Sequence, residues 1–150
     1  MREPTHVMLH HSSTEDSDTV SWAAIHKYHV ETQGWRDIGY HAGVELVTSN
    51  PNLAAYRYEA LFGRGLEEQA SACPQGEMNR RALHVCCIGN YDLIPPPSEL
   101  LAVLSHRILL PWMRLFNIPP ERIVGHRDYN PDKTCPGRQF DIDVVRRLVR

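Results

Sequence analysis

His126, Lys133 and Cys135 lie on one turn-rich stretch, Gly125-His126-Arg127-Asp128-Tyr129-Asn130-Pro131-Asp132-Lys133-Thr134-Cys135-Pro136-Gly137. An imidazole, a primary amine and a thiol this close together can hold a metal and act on a polar bond. Imidazole and thiolate are the ligands that Zn²⁺, a borderline-soft ion, prefers. Asn130-Pro131 and Pro136-Gly137 are turn signals that fold the stretch back, so that His126 and Cys135 can meet. Two ligands hold zinc poorly, and a third has to come from elsewhere. His10 and His11 are the candidates, because they end an apolar strand beside turn residues, where sites in sheet-centred folds lie. A His-His-Cys set leaves a fourth zinc position open for water, as a hydrolytic site requires.

The elements that must position these residues can be read from periodicity. His6 to Ser12 reads as a buried first strand. Its side chains alternate, with Met8, His10 and Ser12 on one face and Val7, Leu9 and His11 on the other. Only one of the two adjacent histidines can therefore look into a given site. An amphipathic helix is predicted from about Asp18 to about Thr32, with Trp22, Ile25, Tyr28 and His29 on one side and Gly34 as its stop. His29 reads as a core histidine.

Gly39 to Val47 reads as a second strand that places Tyr40, Ala42, Val44 and Leu46 together and His41 opposite, in a structural role. After a turn over Thr48 to Asn52, Ala55 to Phe62 returns as a strand. Residues 66–81 read as a polar, irregular loop over a groove. Ala82 to Asn90 is nearly continuous and apolar, which predicts a central strand with Cys86 and Cys87 as core thiols. Ser98-Glu99 opens a long helix with the stripe Leu100, Leu101, Leu104, Ile108, Trp112 and Leu115, kinked at Pro111. Arg122 to Gly125 is the last strand, and Asp141 caps a final helix through Ile142, Val145 and Leu148. The pattern predicts one α/β domain over residues 1–150, a mixed sheet of about five strands flanked by about three main helices.

A chain of 150 residues, 42% hydrophobic and 23% charged, can bury one proper core. Its net charge of −2 is dispersed, and no basic face is offered to nucleic acid. The first residues have neither a basic segment followed by an apolar one nor a membrane-spanning run. The expectation is synthesis in the cytoplasm without a signal peptide, no membrane insertion, and reduced cysteines.

Val7-Met8-Leu9-His10-His11-Ser12, Gly34-Trp35-Arg36-Asp37-Ile38-Gly39-Tyr40-His41, Ile88-Gly89-Asn90-Tyr91-Asp92 and the stretch from Gly125 to Gly137 occur in that order. Together they resemble the zinc-dependent N-acetylmuramoyl-L-alanine amidases of the amidase-2 type, whose fold is shared with peptidoglycan recognition proteins and T7-like phage lysozymes. The resemblance implies that His10, His126 and Cys135 are the zinc ligands and that Tyr40 and Lys133 are the catalytic pair beside the metal. It implies Arg64 and Asn79 as residues of the substrate groove, and leaves His11 as a packed or hydrogen-bonded strand histidine. The implied reaction is hydrolysis of the amide between N-acetylmuramic acid and L-alanine, with peptidoglycan or a muropeptide as substrate. The implied setting is a monomeric phage or prophage endolysin that acts on the wall after release.

Two departures stand out. Where many relatives read Gly-Ala-His, this chain has Ala70-Ser71-Ala72, and a groove histidine is missing. The family's Asp-Gly turn between the second and third strands is replaced by Ser49-Asn50-Pro51-Asn52. The alternatives are a cytoplasmic muropeptide-recycling amidase, a peptidoglycan-binding module without catalysis, and a zinc peptidase or deacetylase on a similar scaffold. A cysteine rather than an aspartate as third ligand leans against the first, and retention of Cys135 against the second. Absence of a His-Glu-x-x-His helix leans against the third.

Overall fold

The computed structural model describes residues 2–14, 21–48, 50, 52–53 and 57–150. The predicted helix start at Asp18, Ala55 and Tyr56 of the predicted third strand, and Ser49 and Pro51 of the turn before it lie outside the described residues. Five strands form one mixed sheet: β1 (His6–His11), β2 (Ala42–Leu46), β3 (Tyr58–Phe62), β4 (Ala82–Cys87) and β5 (Ile123–Gly125), in the order β3-β2-β4-β1-β5. β4 runs parallel to both β1 and β2, β1 is parallel to β5, and β3 pairs antiparallel with β2 at the edge. The apolar run of β4 has its reason here, since all its residues are buried between two neighbours and two covered faces.

One face packs Val7, Leu9, Leu83, Val85 and Cys87 against helices from the second half of the chain. These are α3 (Ser98–Val103), α4 (Leu110–Phe116) and α5 (Ile142–Leu148). Between α3 and α4 lies a π-helical stretch, Leu104–Leu109, in which Leu110 N–H reaches Ser105 O. Pro111 opens α4 straight after it. The widened turn accommodates the proline, so the helical run continues through the predicted kink. Leu115 was expected in the buried stripe, but is 66% exposed; Trp112, Met113 and Ile118 cover the core instead. In α5 the buried residues are Ile142 and Val145, joined by Val149 just past its end, while Leu148 points outward.

The other face carries the chemistry. Parallel register sets His10 beside Cys86 and Met8 beside both His84 and Val124. Helix α1 (Trp22–Lys27) continues into a π-helical turn, Tyr28–Thr32, and ends before Gly34 at φ +71°. Trp22 packs from α1 onto Ile38, Cys86 and Ile88 on this face. Tyr28, expected on the buried side of α1, is half exposed.

The stretch predicted as a polar loop has more order. It contains a 3₁₀ turn at Gln75–Glu77 and the short helix α2 (Met78–Arg81). Cys73 and Met78 are buried from it in a satellite core with Met8, Ala82 and Val124. All four cysteines are free. Among the described residues, no helix is long and apolar enough to cross a membrane.

Candidate metal centre and cleft

β1 and β5 end at the same edge of the sheet, and each delivers a histidine there. His10 is the next-to-last residue of β1. His126 follows Gly125 directly and opens a 3₁₀ turn, His126–Asp128. Asp128 accepts from Gly125 N–H at 2.8 Å, which turns the chain sharply after the strand. The loop then returns to the site. Arg127 braces it, with Nη1 donating to Thr134 O and Gly137 O, Nη2 to Phe140 O, and the backbone N–H to Cys135 O.

The return brings Cys135 Sγ to 3.6 Å from His10 Nδ1. The His10 and His126 ring centroids are 4.9 Å apart. One potential ligand atom from each of His10, His126 and Cys135 lies within 4.8 Å of the other two. His11 N–H donates to Cys135 Sγ at 3.4 Å, a contact that favours a thiolate.

Burial governs the protonation of the three groups. It lowers the pKa of His10 and His126, which are further depressed by neighbouring imidazoles and by Lys133 respectively, so both are neutral bases. It pushes the Cys135 thiol up to about 12, against the opposing effect of the His11 backbone and of Lys133 and Arg127.

Beside this set lies a cavity of about 340 Å³ lined by His11, Ser12, Ile25, His29, Tyr40 and Cys86 among others. Tyr40 stands between the two, its ring 5.2 Å from that of His10. The expectation that Tyr40 shares a face with Ala42 and Val44 is not met. Regular pairing begins only at Ala42, and the bend at His41 turns Tyr40 to the site face while Ala42 and Val44 join the opposite core. Burial, with the sulfurs of Cys86 and Cys135 nearby and a hydrogen bond to Cys86, raises the Tyr40 pKa well above 10.0. Lys133 is exposed at the rim of the metal set.

Arg64 and Asn79 stand apart from these groups. Arg64 is buried, with Nε donating to Ile38 O and Nη1 to Gln69 O. Asn79 Oδ1 accepts from the backbone N–H of Ala72 and of Cys73. Both brace the segment after β3, and neither lines the cavity. His11 is held as expected, its Nδ1 accepting from Tyr91 N–H and its Nε2 beside Ser13 Oγ. His41 accepts from His84 N–H through Nδ1.

Three residues near the site escaped the reading of the sequence. His29 uses Nδ1 to accept from Gly39 N–H, as a core histidine would, yet its ring lines the cavity. Cys86 is a core thiol that also forms part of the cavity wall. His84 lies wholly buried beneath His10, and burial lowers its pKa to about 3. A histidine inside an otherwise apolar central strand was the available signal.

Residues 1–138 match the amidase-2 family model, described as N-acetylmuramoyl-L-alanine amidase. The chain is 26% identical over 146 residues to peptidoglycan-recognition protein LB of Drosophila melanogaster, covering 93% of this chain and 57% of that protein. It thus spans a little over half of that relative's length. The fold is similar to that of the N-acetylmuramoyl-L-alanine amidase LysC from Clostridium intestinale URNW, with a TM-score of 0.78 at 20% identity over 97% of this chain and 85% of that one. A mutant of Drosophila PGRP-LB in complex with tracheal cytotoxin is similar at a TM-score of 0.73 and 20% identity, covering 96% of this chain and 81% of that one. The match over nearly the whole length, on a sheet that carries His10, His126 and Cys135 to one edge, makes this chain a member of the amidase-2 family.

Proposed function

We propose that the chain is a zinc-dependent amidase that hydrolyses the bond between N-acetylmuramic acid and L-alanine in peptidoglycan. It acts as a monomeric, single-domain endolysin of phage or prophage type, released to reach the wall. One observation carries this proposal: two imidazoles and a thiol converge within 4.8 Å beside a cleft walled by Tyr40.

The set fits zinc. Tetrahedral Zn²⁺ spaces a nitrogen and a sulfur ligand about 3.5 Å apart. The His10 Nδ1 to Cys135 Sγ distance is 3.6 Å. A thiolate with two imidazoles suits zinc and not the hard cations Mg²⁺ and Ca²⁺, which take oxygen ligands. His10, His126 and Cys135 would hold the ion, which when bound would supply Lewis-acid chemistry for a water and an amide carbonyl.

The chain's own residues do the rest. Tyr40 keeps its phenolic proton across the neutral range, and orients a water or donates to the substrate from the cavity wall. Lys133 brings positive charge to the side where an oxyanion develops, and its exposure lets it move to meet that charge. The cavity takes the groups flanking the scissile amide. Likeness to a clostridial amidase supports the enzymatic assignment.

A recognition role without catalysis is the second reading, favoured by the identity to peptidoglycan-recognition protein LB. Zinc content and amine release from purified peptidoglycan, on the wild type and on Cys135→Ser, separate the two. One equivalent of zinc and new L-alanine amino termini, both lost in the variant, are expected. Wall binding by a zinc-loaded wild type with no new amino termini would replace the enzyme by a recognition module.

A further inference from the structure

The two nitrogens of His10 face different neighbours. Nδ1 looks toward Cys135, and Nε2 lies 2.8 Å from Nδ1 of His84. A bond between two neutral imidazoles holds a single proton, so one ring donates and the other accepts. The choice is made on the far side of His84. Its Nε2 lies 2.9 Å from the carbonyl oxygen of Met78, which can only accept. His84 must therefore carry its proton on Nε2 and offer a bare Nδ1. His10 then donates from Nε2, and its lone pair is left on Nδ1, the nitrogen turned toward the metal set.

We propose that His84 is a positioning residue for the metal centre: it accepts from His10 Nε2 and so holds His10 in the tautomer that presents Nδ1 as a ligand, with the Met78 carbonyl fixing His84 in turn. The proposal rests on the assignment of His10 as a ligand. His10 and His84 are both buried, so no solvent replaces a lost partner. Without an acceptor at position 84, His10 either leaves a buried N–H unpaired or moves its proton to Nδ1 and gives up the ligating lone pair. The backbone of His84 is pinned as well, because its N–H donates to His41 Nδ1 and His41 is held in turn at Glu68 O. A register shift that would move His84 away from His10 breaks these contacts together.

Two variants of the full chain test this. His84→Leu removes the acceptor at similar bulk, and His84→Asn keeps an amide oxygen near the place of Nδ1. Long-range ¹H–¹⁵N NMR of the metal-free protein reads the His10 tautomer, and competition with a chromophoric chelator reads zinc affinity. Expected are an Nε2-protonated His10 in the wild type and in His84→Asn, with zinc binding about 10–100-fold weaker in His84→Leu and largely restored in His84→Asn. A merely structural role would lower the melting temperature of the metal-free variants without that restoration. An Nδ1-protonated His10 in the wild type, or a folded His84→Leu that binds zinc as tightly as the wild type, overturns the proposal. Should the leucine variant not fold, the wild-type tautomer decides. A wild type that binds no zinc but carries His10 protonated on Nε2 would refute the metal assignment and leave the hydrogen-bond relay standing.

Discussion

His10 Nδ1 and Cys135 Sγ stand 3.6 Å apart although 125 positions separate them in the chain. Burial holds that sulfur as a thiol, with its pKa pushed up to about 12, while it lowers the pKa of both imidazoles. Zinc ligation needs the thiolate, so binding must release the thiol proton. With both imidazoles already neutral, apparent zinc affinity is expected to rise about tenfold per unit between about pH 7 and 9. Calorimetry in buffers of different ionisation enthalpy should count one proton released. An affinity flat with pH would remove Cys135 from the ligand set.

Tyr40→Phe keeps the ring against His10 and deletes only the hydroxyl. Zinc stoichiometry is expected to stay unchanged while kcat falls about 10²–10⁴-fold, the range for a positioned proton donor. Since burial raises the Tyr40 pKa above 10.0, ionisation of the phenol should cause no loss of rate below that pH. A fully active phenylalanine variant would leave Tyr40 as a wall of the cleft and nothing more.

Lys133 lowers the pKa of both His126 and Cys135 through its charge. Lys133→Met should raise both, making the thiol harder to ionise and His126 easier to protonate. Both shifts work against zinc, but replacing one thiol proton by Zn²⁺ adds a net charge of +1 beside the ammonium, so removing that repulsion is expected to tighten zinc binding a few-fold at fixed pH. If the ammonium also faces the developing oxyanion, kcat falls about 10–100-fold and Lys133→Arg recovers part of it. Because Lys133 is exposed, raising the salt should shrink its effect on zinc affinity in the wild type. Identical zinc affinity and kcat in wild type and Lys133→Met would mark it as an ordinary solvated lysine.

Gly137 has φ +123°, and a Cβ there would lie 2.4 Å from the backbone carbonyl carbon of Tyr91. Strain and overlap act together, so Gly137→Ala is expected to cost about 2–4 kcal/mol of stability. Urea unfolding of the metal-free protein measures it. Because the same loop carries Cys135, zinc affinity should fall too. A neutral substitution would mean that the loop and the Tyr91 segment can part freely.

Much of the fold was legible because strand alternation and ligand chemistry are local. The six residues of β1 and of β4 announce buried strands, and the types and spacing of His126 and Cys135 mark them as two members of the cluster that the fold brings together with His10. What stayed hidden depends on partners brought from a distance. The bond between His10 and His84 follows from the parallel register of β1 and β4, which no window of sequence contains. The family resemblance put Tyr40 in the site, and its ring lies 5.2 Å from that of His10, yet alternation gave it the wrong companions because the strand starts after it. Cys73 and Met78 are buried from an aperiodic, mostly polar stretch that offers no stripe to detect. Leu115 and Leu148 were misplaced because Ile118 and Val149, just beyond them in the chain, cover the core.

The strand order β3-β2-β4-β1-β5 also bears on how the molecule is made. β1 leaves the ribosome before the other strands, yet both of its neighbours in the sheet are translated much later. His10 must wait 74 positions for His84 and 125 for Cys135. Such long-range parallel pairing is slow to close, and it leaves an apolar strand unpaired during synthesis. The nascent chain therefore carries neither the finished sheet nor the His10–His126–Cys135 cluster until β5 and the loop after it have emerged. A site assembled from both ends of such a span cannot form before Cys135 has been translated.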